Sequence, residues 1–259
     1  MIPRNVIIVS DCTDVANVEM RQAIYSSFAA VAGDTAPLPH IEPLVECQQF
    51  SLTHVSFLTR LVAEVAPPGT VIMVIANFIT ERTERLIGVV EHKQVFFEGT
   101  NTGAFGWLIE DLGIHECFEL EDPGFVPFGG KFVHAPAIGR VLAGTPLQDL
   151  GRPFGKEKIR SHRLIPGEIV HIDNFGNAKI FLRDLKFPLG AHLVVEFPDS
   201  NLPPITAVLG TRMMEHPASA WVVYRGSSLG LYELGRVRER GFLDLPIKVG
   251  AHVQLTVVE

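Results

Sequence analysis

The sequence predicts an α/β N-terminal domain with a central, mostly parallel sheet, followed by a C-terminal all-β domain of barrel-like form. Three observations carry this. In the first part of the chain short β-branched runs alternate with stretches of helical apolar spacing. After Gly151 short strand-like runs follow one another with only turn residues between them. The 259 residues are also enough to bury two modest cores.

Val6–Ser10 is a β-branched run ending in polar Ser10-Asp11, and it predicts a strand that opens into a loop. Val18, Ile24 and Phe28 then recur at helical spacing across Asn17–Ala30. Leu52–Val65 repeats that pattern through Val55, Leu58, Val62 and Val65, and Pro67-Pro68-Gly69 stops it. Thr70–Ala76 is wholly apolar, as a strand covered on both faces would be. Further strands are expected at Leu86–Val90 and Val95–Phe97. Short helices are expected at Gly103–Leu112 and at Val133–Ala143, where Pro136 stands in the first turn.

Beyond Gly151, strands are expected at Glu168–Ile172, Ala178–Leu182, His192–Phe197, Ile205–Leu209, Ala220–Tyr224, Leu229–Gly235 and His252–Val258. The expected organisation is an α/β domain over residues 1–150, a Gly-, Pro- and charge-rich linker over 151–165, and a β-barrel domain over 166–259.

Composition excludes several roles. The formal charge of −7 comes with dispersed basic residues, so nothing draws in nucleic acid. No apolar stretch reaches the roughly 18 residues of a membrane span, and the N-terminus reads as a first strand rather than a leader. Cys12, Cys47 and Cys117 stand far apart with no C-x-x-C pair, which points to the cytoplasm and to neither a disulfide framework nor a zinc knuckle. There is no Walker loop, no G-x-S-x-G elbow and no H-E-x-x-H helix, and His171-x-Asp173 offers too few ligands for a metal. The expectation is no metal and no resident cofactor.

Several stretches, in order, carry a resemblance. Ser10-Asp11 is followed by Met20-Arg21, and Pro68-Gly69-Thr70-Val71 by Phe128-Gly129-Gly130-Lys131 with Ala135-Pro136-Ala137. Asp173-Asn174-Phe175-Gly176-Asn177 comes next, and then Ser227-Ser228 with Glu233. Together they resemble the S-adenosylmethionine (SAM) hydroxide adenosyltransferases, a family that includes the SAM-dependent fluorinase and chlorinase. The resemblance runs from about Val6 to Val258 and is most specific at the Asp-x-Phe-Gly-Asn motif. It implies an α/β domain plus a β-barrel, assembled as a homotrimer. SAM would lie between the N-terminal domain of one subunit and the C-terminal domain of its neighbour, as substrate or ligand.

The implied chemistry is displacement at the ribose C5′ by water, with methionine leaving as a neutral thioether. Such a reaction needs no acid for the leaving group but does need a held, activated water. The family's Asp-Pro-Gly-Val-Gly-Thr-x-Arg loop corresponds to Asn77–Arg85, which puts Asn77 at the position of its Asp and Glu84 or Arg85 near that of its Arg. Gly129 stands where the family has histidine. Asn cannot take a proton and Gly has no side chain, so Asn77, Glu84 and Arg85 are the candidates for a substituted catalytic set. Glu81 or Glu84 with Arg82 or Arg85 could rebuild a carboxylate–guanidinium pair, and Thr80 lies near a threonine of the halogenating branch. His134 follows the vacant position but leads into an apolar helix, where a histidine is more often packed or capping.

For binding, Asp11 has the chemistry to accept from two ribose hydroxyls, or to cap the next loop. Asp173 could hold the methionine ammonium and Asn177 an adenine edge, although Asn174–Asn177 is also good turn chemistry. Ser227 or Ser228 could contact the methionine carboxylate. Phe175 could stack on adenine or fill the barrel. Two functions follow: a divergent SAM hydrolase, or a catalytically silent SAM- or adenosine-binding regulatory or scaffold protein.

Overall fold

The computed structural model describes residues 2–77 and 83–258, which form two compact units meeting at His162 and Arg163. In the first unit, strand β1 (Asn5–Ser10) is followed by helix α1 (Asp14–Ala32), short strands β2 (His40–Ile41) and β3 (Val45–Glu46), helix α2 (Leu52–Val65) and strand β4 (Thr70–Ile75). β2, β3 and β4 all pair with β1 in parallel. Every residue of β4 is buried, as its apolar run Val71–Ile75 requires. Ser51 caps α2 by accepting from the His54 N–H at 3.2 Å.

The sheet is mixed, parallel on the side of β1 and β4 and antiparallel on the other. β6 (Phe96–Thr100) runs parallel to β4, but β5 (Arg85–Val89) pairs antiparallel with β6. Only residues 90–95 separate β5 from β6, too few for the crossover that a parallel pair needs. β7 (Glu116–Leu120) and β8 (Gly151–Pro153) extend this antiparallel side, giving the order β2-β1-β4-β6-β5-β7-β8, with β3 beside β1. β8 lies at the head of the segment expected as a linker, so sheet pairing carries the first unit into it.

Helix α3 (Gly106–Leu112) packs with α2, and the Phe57 and Trp107 rings lie 6.2 Å apart. A π-helical turn, Gly130–His134, leads directly into α4 (Ala135–Leu142). α4 lies against α1. A β-carbon at Gly139 would meet the Ile24 carbonyl at 2.5 Å, so glycine sets how closely the helices approach. Met20, Ile24 and Phe28 of α1 and Ile138 and Val141 of α4 bury Val6, Ile8, Val71 and Met73 of the sheet.

The second unit is one seven-stranded sheet curled as a half-barrel. Its strands are β9 (Ile169–Ile172), β10 (Ala178–Ile180), β11 (His192–Glu196), β12 (Ile205–Leu209), β13 (Trp221–Arg225), β14 (Tyr232–Arg236) and β15 (Gln254–Val257). Their order is β15-β11-β12-β13-β14-β10-β9; β12 and β13 are parallel and the other neighbours antiparallel. A bridge between Glu168 and His252, with backbone hydrogen bonds donated by the Ile169, Gly250 and Val253 N–H groups, links the segments flanking the two edge strands. Phe242 centres the core, with Phe197 and Trp221 edge-on at 5.9 and 5.4 Å.

Candidate functional site

The chain leaves β1 toward β2 on one side and returns at β4 on the other, so the C-terminal ends of β1 and β4 form a switch point where open α/β sheets bind ligands. Asp11 stands there. Its carboxylate accepts from the Asn77 N–H at 3.1 and 3.2 Å and from the Phe50 N–H at 3.4 Å, tying three loops together. Ser10 Oγ donates to the Ile75 carbonyl and accepts from the Cys12 N–H. Burial, reinforced by Asp11, pushes the Cys12 thiol above its ordinary value.

Beside this junction lies a cavity of about 210 Å³. It is lined by Ile75–Asn77, Thr83, Arg85, Thr100, Thr102, Phe128–Gly130 and His134. Asn77 is exposed, and its amide donates to Cys12 Sγ at 3.4 Å. Arg85 is mostly covered and donates to Asp122 Oδ1 at 3.1 Å.

Gly129 and His134 meet across the cavity wall. A β-carbon at 129 would lie 3.6 Å from His134 Cδ2, 3.8 Å from His134 Nε2 and 3.9 Å from Arg85 Nε. His134, 3% exposed, bonds through Nδ1 to Glu98 Oε1 at 2.5 Å, while its Nε2 is 3.4 Å from Thr100 Oγ1. The π-helical turn sets this position, and such turns often occur where a side chain must be re-aimed at a functional site. Lys131, one turn earlier, points away to Glu19.

Glu84 does not line the cavity. Its Oε2 accepts from the Thr83 hydroxyl at 2.6 Å and from the Asn101 amide at 3.0 Å. These bonds, the Thr83 hydroxyl first, hold its carboxyl below the ordinary value, which makes it a poor base. Asn101 is itself fixed by the Lys158 carbonyl and the Arg160 N–H. Thr80, Glu81 and Arg82 lie outside the described residues.

In the second unit Asp173 and Asn177 are brought together. Asp173 accepts from the N–H groups of Phe175 and Asn177, both at 2.9 Å, and from the Asn177 side-chain amide at 3.1 Å. The motif is thus a self-bonded turn, with Asn177 buried. Phe175 does not fill the half-barrel; it is 69% exposed at the tip of that turn. Ser227 is exposed and Ser228 half-buried, in a turn where the Leu231 N–H meets the Ser228 carbonyl. Beneath lies a buried network: Lys179 Nζ and Tyr224 Oη both donate to Glu233, the latter at 2.8 Å. Burial, with Lys179 second, pushes His171 below its ordinary value.

Among the described residues no three His, Cys, Asp or Glu side chains converge as a metal ion would require, and no helix is long and apolar enough to cross a membrane.

Comparison with known proteins gives one similar sequence of named activity and two similar folds. The sequence is 27% identical over 209 residues to an (R)-S-adenosyl-L-methionine hydrolase of Thermus thermophilus, a match covering 73% of this chain and 76% of that protein. The fold is similar to that of an uncharacterized conserved protein from Thermotoga maritima, with a TM-score of 0.78 at 17% identity over 97% of this chain and 100% of that one. A conserved hypothetical protein from Thermus thermophilus gives 0.74 at 22% identity, over 98% of this chain and 100% of that one. No family model matches the sequence.

Sequence reasoning misses the pairing of Glu98 with His134, the second of which lines the cavity. A carboxylate inside Phe96-Phe97-Glu98-Gly99 is itself a signal, since a buried charge must have a partner. His134 reads as a packing residue because only the three-dimensional structure reveals Glu98 behind it and the cavity in front.

Proposed function

We infer that this protein binds S-adenosylmethionine in the manner of the SAM hydroxide adenosyltransferases and hydrolyses it to adenosine and methionine. The observation that carries the inference is the cavity at the strand ends, which holds Arg85 and Asn77 next to the Asp11 junction, in a chain similar to a SAM hydrolase. In this reading Asp11 receives the ribose hydroxyls. The exposed Phe175 ring stacks on adenine, Asp173 and Asn177 hold their turn in shape for the ligand, and Ser227 and Ser228 meet the methionine carboxylate. Arg85 stabilises the water oxygen as it attacks C5′ in line with the departing sulfur. The protein acts in the cytoplasm, assembled as a homotrimer.

A second reading, a silent SAM- or adenosine-binding regulator, draws support from Asn77 and Gly129, neither of which can move a proton. Calorimetric titration with SAM and with adenosine, followed by chromatography of the same mixture, separates the two. Binding with release of adenosine and methionine supports the hydrolase, and binding without release supports the regulator. Absence of binding overturns both.

A further inference from the structure

Glu98 has no exposed surface and sits among Phe96, Phe97 and Gly99 in β6. A carboxylate held out of water is strongly unfavourable unless its oxygens are bonded, and two apolar side chains would serve the fold more simply. Yet Glu98 makes one bond, Oε1 to His134 Nδ1, and its Oε2 has no hydrogen-bond partner among the described residues. The partner histidine in turn lines the cavity. As architecture the pair is incomplete, whereas a histidine held by a carboxylate on one nitrogen and facing a cavity with the other is how a proton acceptor is built.

We propose that His134 is the catalytic base of this cavity and that Glu98 is the positioning residue that fixes its tautomer. This rests on the hydrolase reading above and assigns the base that Asn77, Glu84 and Gly129 do not supply. With Nδ1–H donating to Glu98, the lone pair stands on Nε2. The Nε2 contact to Thr100 Oγ1, at 3.4 Å, is long enough for a water to replace it. Gly129 keeps the approach open, because a β-carbon there would already touch the ring edge and anything longer would lie over it. The imidazole therefore reaches the place next to Gly129 from five residues further along the chain.

In the reaction Nε2 takes one proton from water while the water oxygen forms its bond to C5′. The C5′–S bond breaks with its electron pair remaining on sulfur, so methionine leaves neutral, and the imidazolium passes its proton to solvent. Two charged groups are placed near the ring: Glu98 on β6, bonded to Nδ1, and Arg85 from β5, whose Nε is 3.9 Å from where the Gly129 β-carbon would stand.

The test uses the full chain and its His134→Gln and Glu98→Gln variants, with SAM affinity from calorimetry and kcat and KM from adenosine release. His134→Gln is expected to bind SAM within about threefold of the parent while kcat falls ~10²–10⁴-fold, the usual contribution of a general base. Glu98→Gln keeps a hydrogen-bond acceptor for Nδ1 but loses the charge, and should lower kcat by about 10–100-fold at unchanged KM. If His134→Gln fails to fold, Glu98→Gln still decides, because it is nearly isosteric and a merely structural pair would leave kcat in place. A parent that turns over SAM alongside variants with equal kcat overturns the assignment of His134 and leaves the hydrolase reading intact. A parent that binds SAM without releasing adenosine overturns both.

Discussion

Each unit buries a carboxylate in an ion pair with a basic side chain: Glu98 with His134 in the first, Glu233 with Lys179 in the second. The two differ in what is left over. Both oxygens of Glu233 are bonded, one to Lys179 and one to Tyr224, and the group is closed against further partners. Glu98 has an oxygen with no partner among the described residues, and the histidine that holds its other oxygen borders a cavity. A saturated buried network specifies a fold, whereas an unsaturated one beside a cavity has capacity for a ligand. The two pairs should therefore respond oppositely to substitution: the second in stability, the first in turnover.

The largest effect should come from opening the closed network. Glu233→Ala leaves the Lys179 ammonium buried without its carboxylate, a change that typically destabilises by about 3–5 kcal/mol. Urea unfolding of the full chain should show the loss, and Lys179→Met with Glu233→Leu should restore most of it.

Asp173 extends the comparison because its carboxylate, with three bonds inside its own turn, resembles Glu233 more than Glu98. Asp173→Ala should therefore destabilise by about 1–3 kcal/mol as the turn donors lose their acceptor. Asp173→Asn keeps an acceptor for a backbone N–H and should be milder. A fall in SAM affinity in that variant, with the unfolding midpoint nearly in place, would separate a ligand contact from turn geometry.

Much of this molecule is legible from the chain alone. The fully buried β4 and the helix α2 announce themselves by residue spacing, and the turn-punctuated runs after Gly151 do the same for the second sheet. The antiparallel half of the first sheet is less so: the short β5–β6 connection implies it, but β7 and β8 are brief strands whose partners are remote in sequence. At the site, the resemblance of Asn77–Arg85 to the family's loop singles out Asn77 and Arg85, and both line the cavity. The Glu98–His134 pair was not. Its members are separated by 36 positions, and neither one's neighbours in sequence reveal the other.

Glu98→Gln also makes a stability prediction that sharpens the contrast with Glu233. Removing a buried charge with only one bonded oxygen relieves desolvation while keeping the contact to Nδ1. The unfolding free energy should therefore change by less than about 1 kcal/mol, even as turnover falls. A loss on the scale of Glu233→Ala, measured in the same urea titration, would make the two pairs equivalent and remove the argument for a site.

The smallest effect concerns His171, which lies among the charges of the closed network. Burial and then Lys179 depress its proton affinity, and Asp173 and Glu233 only partly oppose them. In the unfolded chain a histidine titrates near about 6.5. Above that pH both states hold it neutral, and its contribution to stability is complete. As pH falls below it, the unfolded chain takes up a proton that folded His171 resists, so stability declines until the lower folded value is reached. The slope from one such site is at most about 1.4 kcal/mol per pH unit. Unfolding midpoints between pH 8 and pH 5 should fall less in His171→Gln than in the parent, because the variant has no proton to gain there. Equal slopes would mean that the network accommodates a protonated His171, and that its closure is less complete than its hydrogen bonds imply.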